Sequence, residues 1–132
     1  MSTNNSAKDQ IIKMMLGINT GYHLTITFGK YTPEETCRND LNKFFKHVNA
    51  TLYKGQYIRG ETFLNGIAIQ ERSIVMQTFH FHILIEQHQG LPSHERLDQV
   101  IAKHVNYFRK SKTKNTICEY QLQAYYNNGD NK

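Results

Sequence analysis

The ten residues Gln77-Thr78-Phe79-His80-Phe81-His82-Ile83-Leu84-Ile85-Glu86 read as a strand that carries two histidines on one of its faces. Side chains alternate across a strand, so His80 and His82 share a face about 7 Å apart along the backbone. Phe79, Phe81, Ile83 and Ile85 point the other way, into a core. An imidazole in so apolar a strand needs partners for its ring nitrogens. A metal ion held by both rings would supply them.

The preceding strand runs over Phe63 to Glu71, with a turn near Ser73 to Met76 that folds it back on the histidine strand. That places Glu71 near the histidine pair as a third candidate ligand. Parity complicates the placement, because Ile67 and Ile69 share a face with Glu71 while Gly66, Ala68 and Gln70 occupy the other. Two readings stay open: a bulge re-aims Glu71 toward the histidines, or Gln70 faces them instead.

Further out, His23-Leu24-Thr25-Ile26-Thr27-Phe28 alternates with period two, Leu24, Ile26 and Phe28 against His23, Thr25 and Thr27. Thr32-Pro33-Glu34-Glu35 has the chemistry of a helix start: a capping hydroxyl, proline at the first helical position and an acid three residues after the cap. Cys37, Leu41, Phe44, Phe45, Val48 and Leu52 continue that helix at helical spacing. Lys54 to Gly60 reads as a basic, Gly-flanked connection. Gly90-Leu91-Pro92-Ser93 breaks the chain and opens a second helix with Leu97, Val100, Ile101, Val105 and Phe108 on one face. A basic loop from Lys110 to Asn115 leads into a last strand, Ile117 to Tyr126, whose odd and even positions alternate. Residues 1–17 read as a polar tail and a short helix over Gln10 to Leu16, 18–126 as one domain, and 127–132 as a flexible end and a point of possible truncation. The order β-α-β-β-α-β predicts a ferredoxin-like α+β fold: an antiparallel sheet with two helices on one face and the other face open to nucleic acid.

Sixteen Lys and Arg against eleven Asp and Glu give a net charge of +5, which suits an anionic polymer as partner. Cys37 and Cys118 are the only cysteines, and both are expected to be reduced core residues. The start of the chain lacks the basic and apolar regions of a secretory signal. No run reaches the ~20 apolar residues of a membrane span. A cytoplasmic protein with no membrane partner is the expectation.

The His-hydrophobe-His run, the Thr-containing first strand Leu24-Thr25-Ile26-Thr27-Phe28 and the acid at Glu71 together resemble the His-hydrophobe-His (HUH) endonucleases, above all the nuclease domains of rolling-circle replication initiators. The resemblance spans roughly Tyr22 to Tyr126. It implies that His80, His82 and Glu71 hold a divalent ion, Mn²⁺ or Mg²⁺ with zinc as the competitor, that polarises a scissile phosphate. It further implies that a tyrosine attacks the phosphate and stays linked to the 5′ end of the nick. The family carries that tyrosine in a Tyr-x-x-Lys motif on a helix after the last strand, and this sequence ends at Asn127 to Lys132 before such a helix. Three readings remain: the sequence stops short of its nucleophile, Tyr126 or Tyr125 serves in its place, or the domain does not cut. Tyr107-Phe108-Arg109-Lys110 spells Tyr-x-x-Lys on the preceding helix, which adds Tyr107 as a candidate. The basic residues Lys54, Arg59, Arg109, Lys110, Lys112 and Lys114 are candidates for phosphate contacts.

The functional expectation is a nickase acting on single-stranded or hairpin DNA of a plasmid, phage or other mobile element, with a single-tyrosine transposase as its near neighbour. The reading from another class is a DNA-binding regulator or inhibitor that kept the fold without the cut. A base-stacking module of the RNA-recognition kind ranks last, because the phenylalanines of the histidine strand alternate inward.

Overall fold

The computed structural model describes Gly17, residues 19–110 and residues 117–125, with the backbone alone at Lys110. The expected N-terminal helix, Lys112, Lys114, Tyr126 and the chain end lie outside the described residues. Among the described residues, four strands and three helices follow one another as β1 (Thr20–Phe28), α1 (Glu34–Tyr53), α2 (Gly55–Ile58), β2 (Gly66–Ser73), β3 (Thr78–Glu86), α3 (His94–Lys110) and β4 (Ile117–Ala124). The sheet is antiparallel in the order β2-β3-β1-β4, so the fold is α+β of the ferredoxin-like type. No helix among the described residues is long and apolar enough to cross a membrane.

Period-two alternation does what it predicts on the two central strands. Leu24, Ile26 and Phe28 of β1 and Phe81, Ile83 and Ile85 of β3 are buried against Cys37, Leu41, Phe44 and Val48 of α1 and Leu97, Ile101, Val105 and Phe108 of α3. The two long helices therefore cover one sheet face, and His23, Thr25, Thr27, His80 and His82 lie on the other.

Four local expectations need correction. Thr32 does not cap α1: its hydroxyl donates to the Gly29 carbonyl at 2.8 Å, and Pro33 stands at the cap position without a side-chain bond. Glu34 and Glu35 still occupy the first turn, where the helix dipole favours them. The connection after α1 is not a plain loop, since Gly55–Ile58 forms a helical turn around Lys54 at φ 51°. Strand β2 starts at Gly66 rather than Phe63, because the Leu64 N–H is taken by Asn49 Oδ1 at 2.7 Å before any ladder forms. Gly66 itself approaches the Leu84 carbonyl so closely that a Cβ there would overlap it.

The fourth correction concerns β4. The ladder with β1 pairs Thr27 with Glu119 and then Phe28 with Ile117, leaving Cys118 as the extra residue of a bulge. Ile117 is thereby returned to the core, fully buried, and Cys118 is exposed rather than a core thiol. Arg109 closes the bulge by donating from Nε and from a terminal nitrogen to the Cys118 carbonyl, at 3.0 and 2.7 Å.

Candidate metal and nucleic-acid site on the histidine face

The register of β2 against β3 decides where Glu71 points. Glu71 pairs with His80 and Ile69 with His82, with no shift along the ladder. Directly opposed residues project to the same face, so Glu71 looks to the histidines without a bulge. Gln70 looks the other way and accepts a hydrogen bond from Arg38 Nε at 3.2 Å. The parity conflict came from assuming that Ile67 and Ile69 face the helices. They face the histidine side, where Ile69 and its neighbour Leu84 are buried. The second sheet face is thus not open along its whole length: Ile67, Ile69 and Leu84 make an apolar patch on β2 and β3, and the polar groups fill the His80 end and continue along β1 to His23, opposite Leu84.

Those polar groups form two connected sets. His82 Nε2 lies 2.8 Å from Glu71 Oε1, and since a carboxylate only accepts, that nitrogen donates. A neutral His82 then offers Nδ1 as acceptor to the Nε2–H of His23, 3.2 Å away. The result is a chain from imidazole to imidazole to carboxylate. Burial, and then the facing His82, hold the His23 pKa below its ordinary value. In the second set, His80 Nδ1 is 3.0 Å from Thr27 Oγ1 and its Nε2 is 3.3 Å from Thr78 Oγ1.

The imidazoles are therefore satisfied by protein partners, and the premise that an ion must satisfy them does not hold. As these side chains stand, no three His, Cys, Asp or Glu residues among the described residues are grouped around one ion position. The donor chemistry and the shared face still suit a divalent ion. Taking one up requires His82 to release Glu71 and His80 to turn from its threonines.

His23 is the member of this face that the sequence reading placed correctly without assigning it a role. Its signal was available: it alternates with Thr25 and Thr27, and a ferredoxin-like order sets β1 beside β3. Beside these residues, Thr25, Thr27, Glu119, Tyr120 and Gln121 line a cleft of about 340 Å³. A larger cleft of about 810 Å³ lies away from His23, His80 and His82, between Tyr53, Glu61, Glu86 and His88.

The candidate nucleophiles divide sharply. The Tyr125 ring stacks on His23, with centroids 6.1 Å apart and planes 23° from parallel, so it joins the histidine face through that ring. Tyr107 sits on α3 in the helical layer, its ring 6.2 Å from that of His47, with the sheet between it and His80. The structure does not bring it to the site. Among the basic candidates, Arg109 holds the β4 bulge and Arg59 makes a two-bond pair with Glu61 at 2.9 and 3.1 Å. Lys54 is exposed at the α1–α2 junction, ahead of the Gly66 end of β2.

Comparisons of the chain with protein-family models, with curated proteins and with solved structures find no match.

Proposed function

We propose that this domain binds and nicks single-stranded DNA at the histidine face, in the manner of the HUH endonucleases it resembles. The observation that carries the reading is the Glu71–His80 register. It sets one carboxylate and two imidazoles on the same face of two adjacent strands, at the polar end of the sheet. With Mn²⁺ or Mg²⁺ bound, such a ligand set supplies a Lewis acid for a phosphate oxygen. Tyr125, which stacks on His23 at the end of this face away from His80, is the candidate nucleophile among the described residues, and reaching a phosphate at the ion requires the DNA strand to span that distance; Tyr126 is the candidate beyond it. In the attack the phenol oxygen bonds to phosphorus, and its proton passes through solvent to the departing 3′ oxygen, which leaves as a hydroxyl. The bond from phosphorus to the 3′ oxygen breaks, and the 5′ end remains on the tyrosine. The net charge of +5 favours DNA as the partner.

One observation favours a second reading, a DNA-binding regulator without cleavage. The histidine nitrogens are already satisfied by Thr27, Thr78, Glu71 and His23, so the face is complete as a set of fixed hydrogen-bonding groups.

A nicking assay on labelled single-stranded DNA with Mn²⁺ separates the two. The variants are His80→Ala with His82→Ala, and Tyr125→Phe. Histidine-dependent cleavage with a protein–DNA adduct supports the nickase, and the adducted peptide names the tyrosine. DNA binding with no cleavage under any divalent ion supports the regulator.

A further inference from the structure

Two loops at the His80 end of the sheet display large apolar side chains to solvent. The β2–β3 turn carries Ile74, Val75 and Met76 at 70, 90 and 54 % exposure, and the β1–α1 loop carries Tyr31 at 78 %. They sit next to each other, since the Tyr31 N–H donates to the Gln77 carbonyl at 3.0 Å. Tyr31 and Gln77 have φ of 64° and 55°, a left-handed backbone that non-glycine residues adopt at a cost. The turn is also braced from within: the Met76 N–H donates to Ser73 Oγ at 3.2 Å, and Gln77 Nε2 to the Ile74 carbonyl at 2.8 Å. An ordinary hairpin tip gains nothing from three consecutive exposed apolar residues.

We infer that Tyr31 and the Ile74–Met76 tip form a clamp for unpaired nucleic-acid bases beside the histidine face. The inference rests on the DNA reading above and adds how the strand is gripped. Charge favours this occupant: the stretches 29–33 and 72–78 contain Lys30 and Arg72 and no acid. The acids nearest to them in sequence, Glu34 and Glu71, are engaged by Arg38 at 2.6 Å and by His82 at 2.8 Å. Position favours it too. The tip begins directly beyond the Ser73–Thr78 pair, two strand residues from His80, which is roughly 7 Å or about two base-stacking rises along one strand. An exposed tyrosine ring stacks any base, and apolar wedges separate neighbouring bases. A strand gripped there would present its next phosphates to His80 and Glu71.

The test uses the full chain with a fluorescein-labelled oligothymidylate, and with the same strand carrying one 2-aminopurine as a stacking probe. The variants are Tyr31→Asn, which tolerates the left-handed backbone, and Ile74→Ser with Val75→Ser and Met76→Ser. All sit at exposed positions, and circular dichroism verifies their folding. The clamp predicts roughly 5- to 100-fold weaker binding for each variant, together with loss of 2-aminopurine quenching in Tyr31→Asn. Unchanged affinity and quenching, with the wild type binding DNA, overturn the clamp and leave the DNA reading standing. Absence of DNA binding by the wild type overturns both. Binding to phosphatidylcholine–phosphatidylserine vesicles that the tip variant abolishes, with DNA binding intact, overturns the clamp in favour of a membrane-surface contact.

Discussion

Glu71 stands directly across the β2–β3 ladder from His80, yet its carboxylate hydrogen-bonds His82, the next residue along that face, at 2.8 Å. Both side chains of this diagonal pair are largely withdrawn from solvent, at 17 and 21 % exposure for His82 and Glu71. Removing one partner therefore strands the other. Glu71→Ala is expected to lower stability by about 1–3 kcal/mol. Glu71→Gln, which keeps an acceptor for the His82 N–H, is expected to lower it less. Urea unfolding of the two variants beside the wild type measures the difference, and a Glu71→Ala variant as stable as the wild type would show that the bond contributes nothing.

Gly66 tests the start of β2. A methyl group at that position meets the Leu84 carbonyl, which belongs to the ladder and cannot move alone. Gly66→Ala should cost about 1–3 kcal/mol through overpacking, even though alanine usually stabilises an extended chain relative to glycine. Thermal unfolding should show a Tm lower by several degrees. A Tm at or above that of the wild type would contradict the close approach.

The two thiols should differ in reactivity. Burial, reinforced by Asp40 and Glu34, pushes the Cys37 thiol up to about 12, whereas Cys118 is exposed at the β4 bulge. Titration with a disulfide reagent at mildly alkaline pH should label Cys118 alone in the native protein, and both cysteines in denaturant. Fast labelling of Cys37 in the folded state would refute this arrangement of α1.

In the helical layer, His104 accepts or donates a hydrogen bond with Thr51 Oγ1 at 2.9 Å and stacks on His47 at 5.8 Å. Burial first, then His47 and Lys103, hold its pKa below the ordinary 6.5. The unfolded ring thus takes a proton before the folded one, so the unfolded state binds more protons as the pH falls through 6.5 toward the folded value. The stabilising contribution is complete above 6.5 and is lost on acidification through that window. His104→Gln, which can keep the bond to Thr51, should flatten part of the loss in a series of melts between neutral and mildly acidic pH. The remaining slope belongs to groups such as His23, which is shifted in the same direction. An unchanged slope would exclude His104 as a contributor.

The sequence made the order of elements legible because each long segment carries one clear period. Leu24, Ile26 and Phe28, Phe81, Ile83 and Ile85, and the stripe from Leu97 to Phe108 all face the core as alternation or helical spacing requires. It failed where a local bond overrode the pattern. Thr32 turned to Gly29, Asn49 took the Leu64 N–H, and the bulge at Cys118 shifted Ile117 from one face to the other. Glu71 was harder still, because Ile67 and Ile69 are apolar yet belong to the histidine side. No pattern within β2 says which face is the core; only the register against His80 and His82 does. The partners of the histidines come from three strands, and their meeting is a property of the assembled sheet.

The central claim is that His80, His82 and Glu71 can gather on one divalent ion. Its most direct test is a titration of the protein with Mn²⁺, followed by NMR of the ¹⁵N-labelled imidazoles, since a paramagnetic ion broadens nearby nuclei. Selective broadening of His80 and His82 at low Mn²⁺, weaker at His23, absent at His47 and His104, and abolished by Glu71→Ala, is the result expected. Broadening that spares His80 and His82, or that spreads evenly over all the histidines, would contradict the claim.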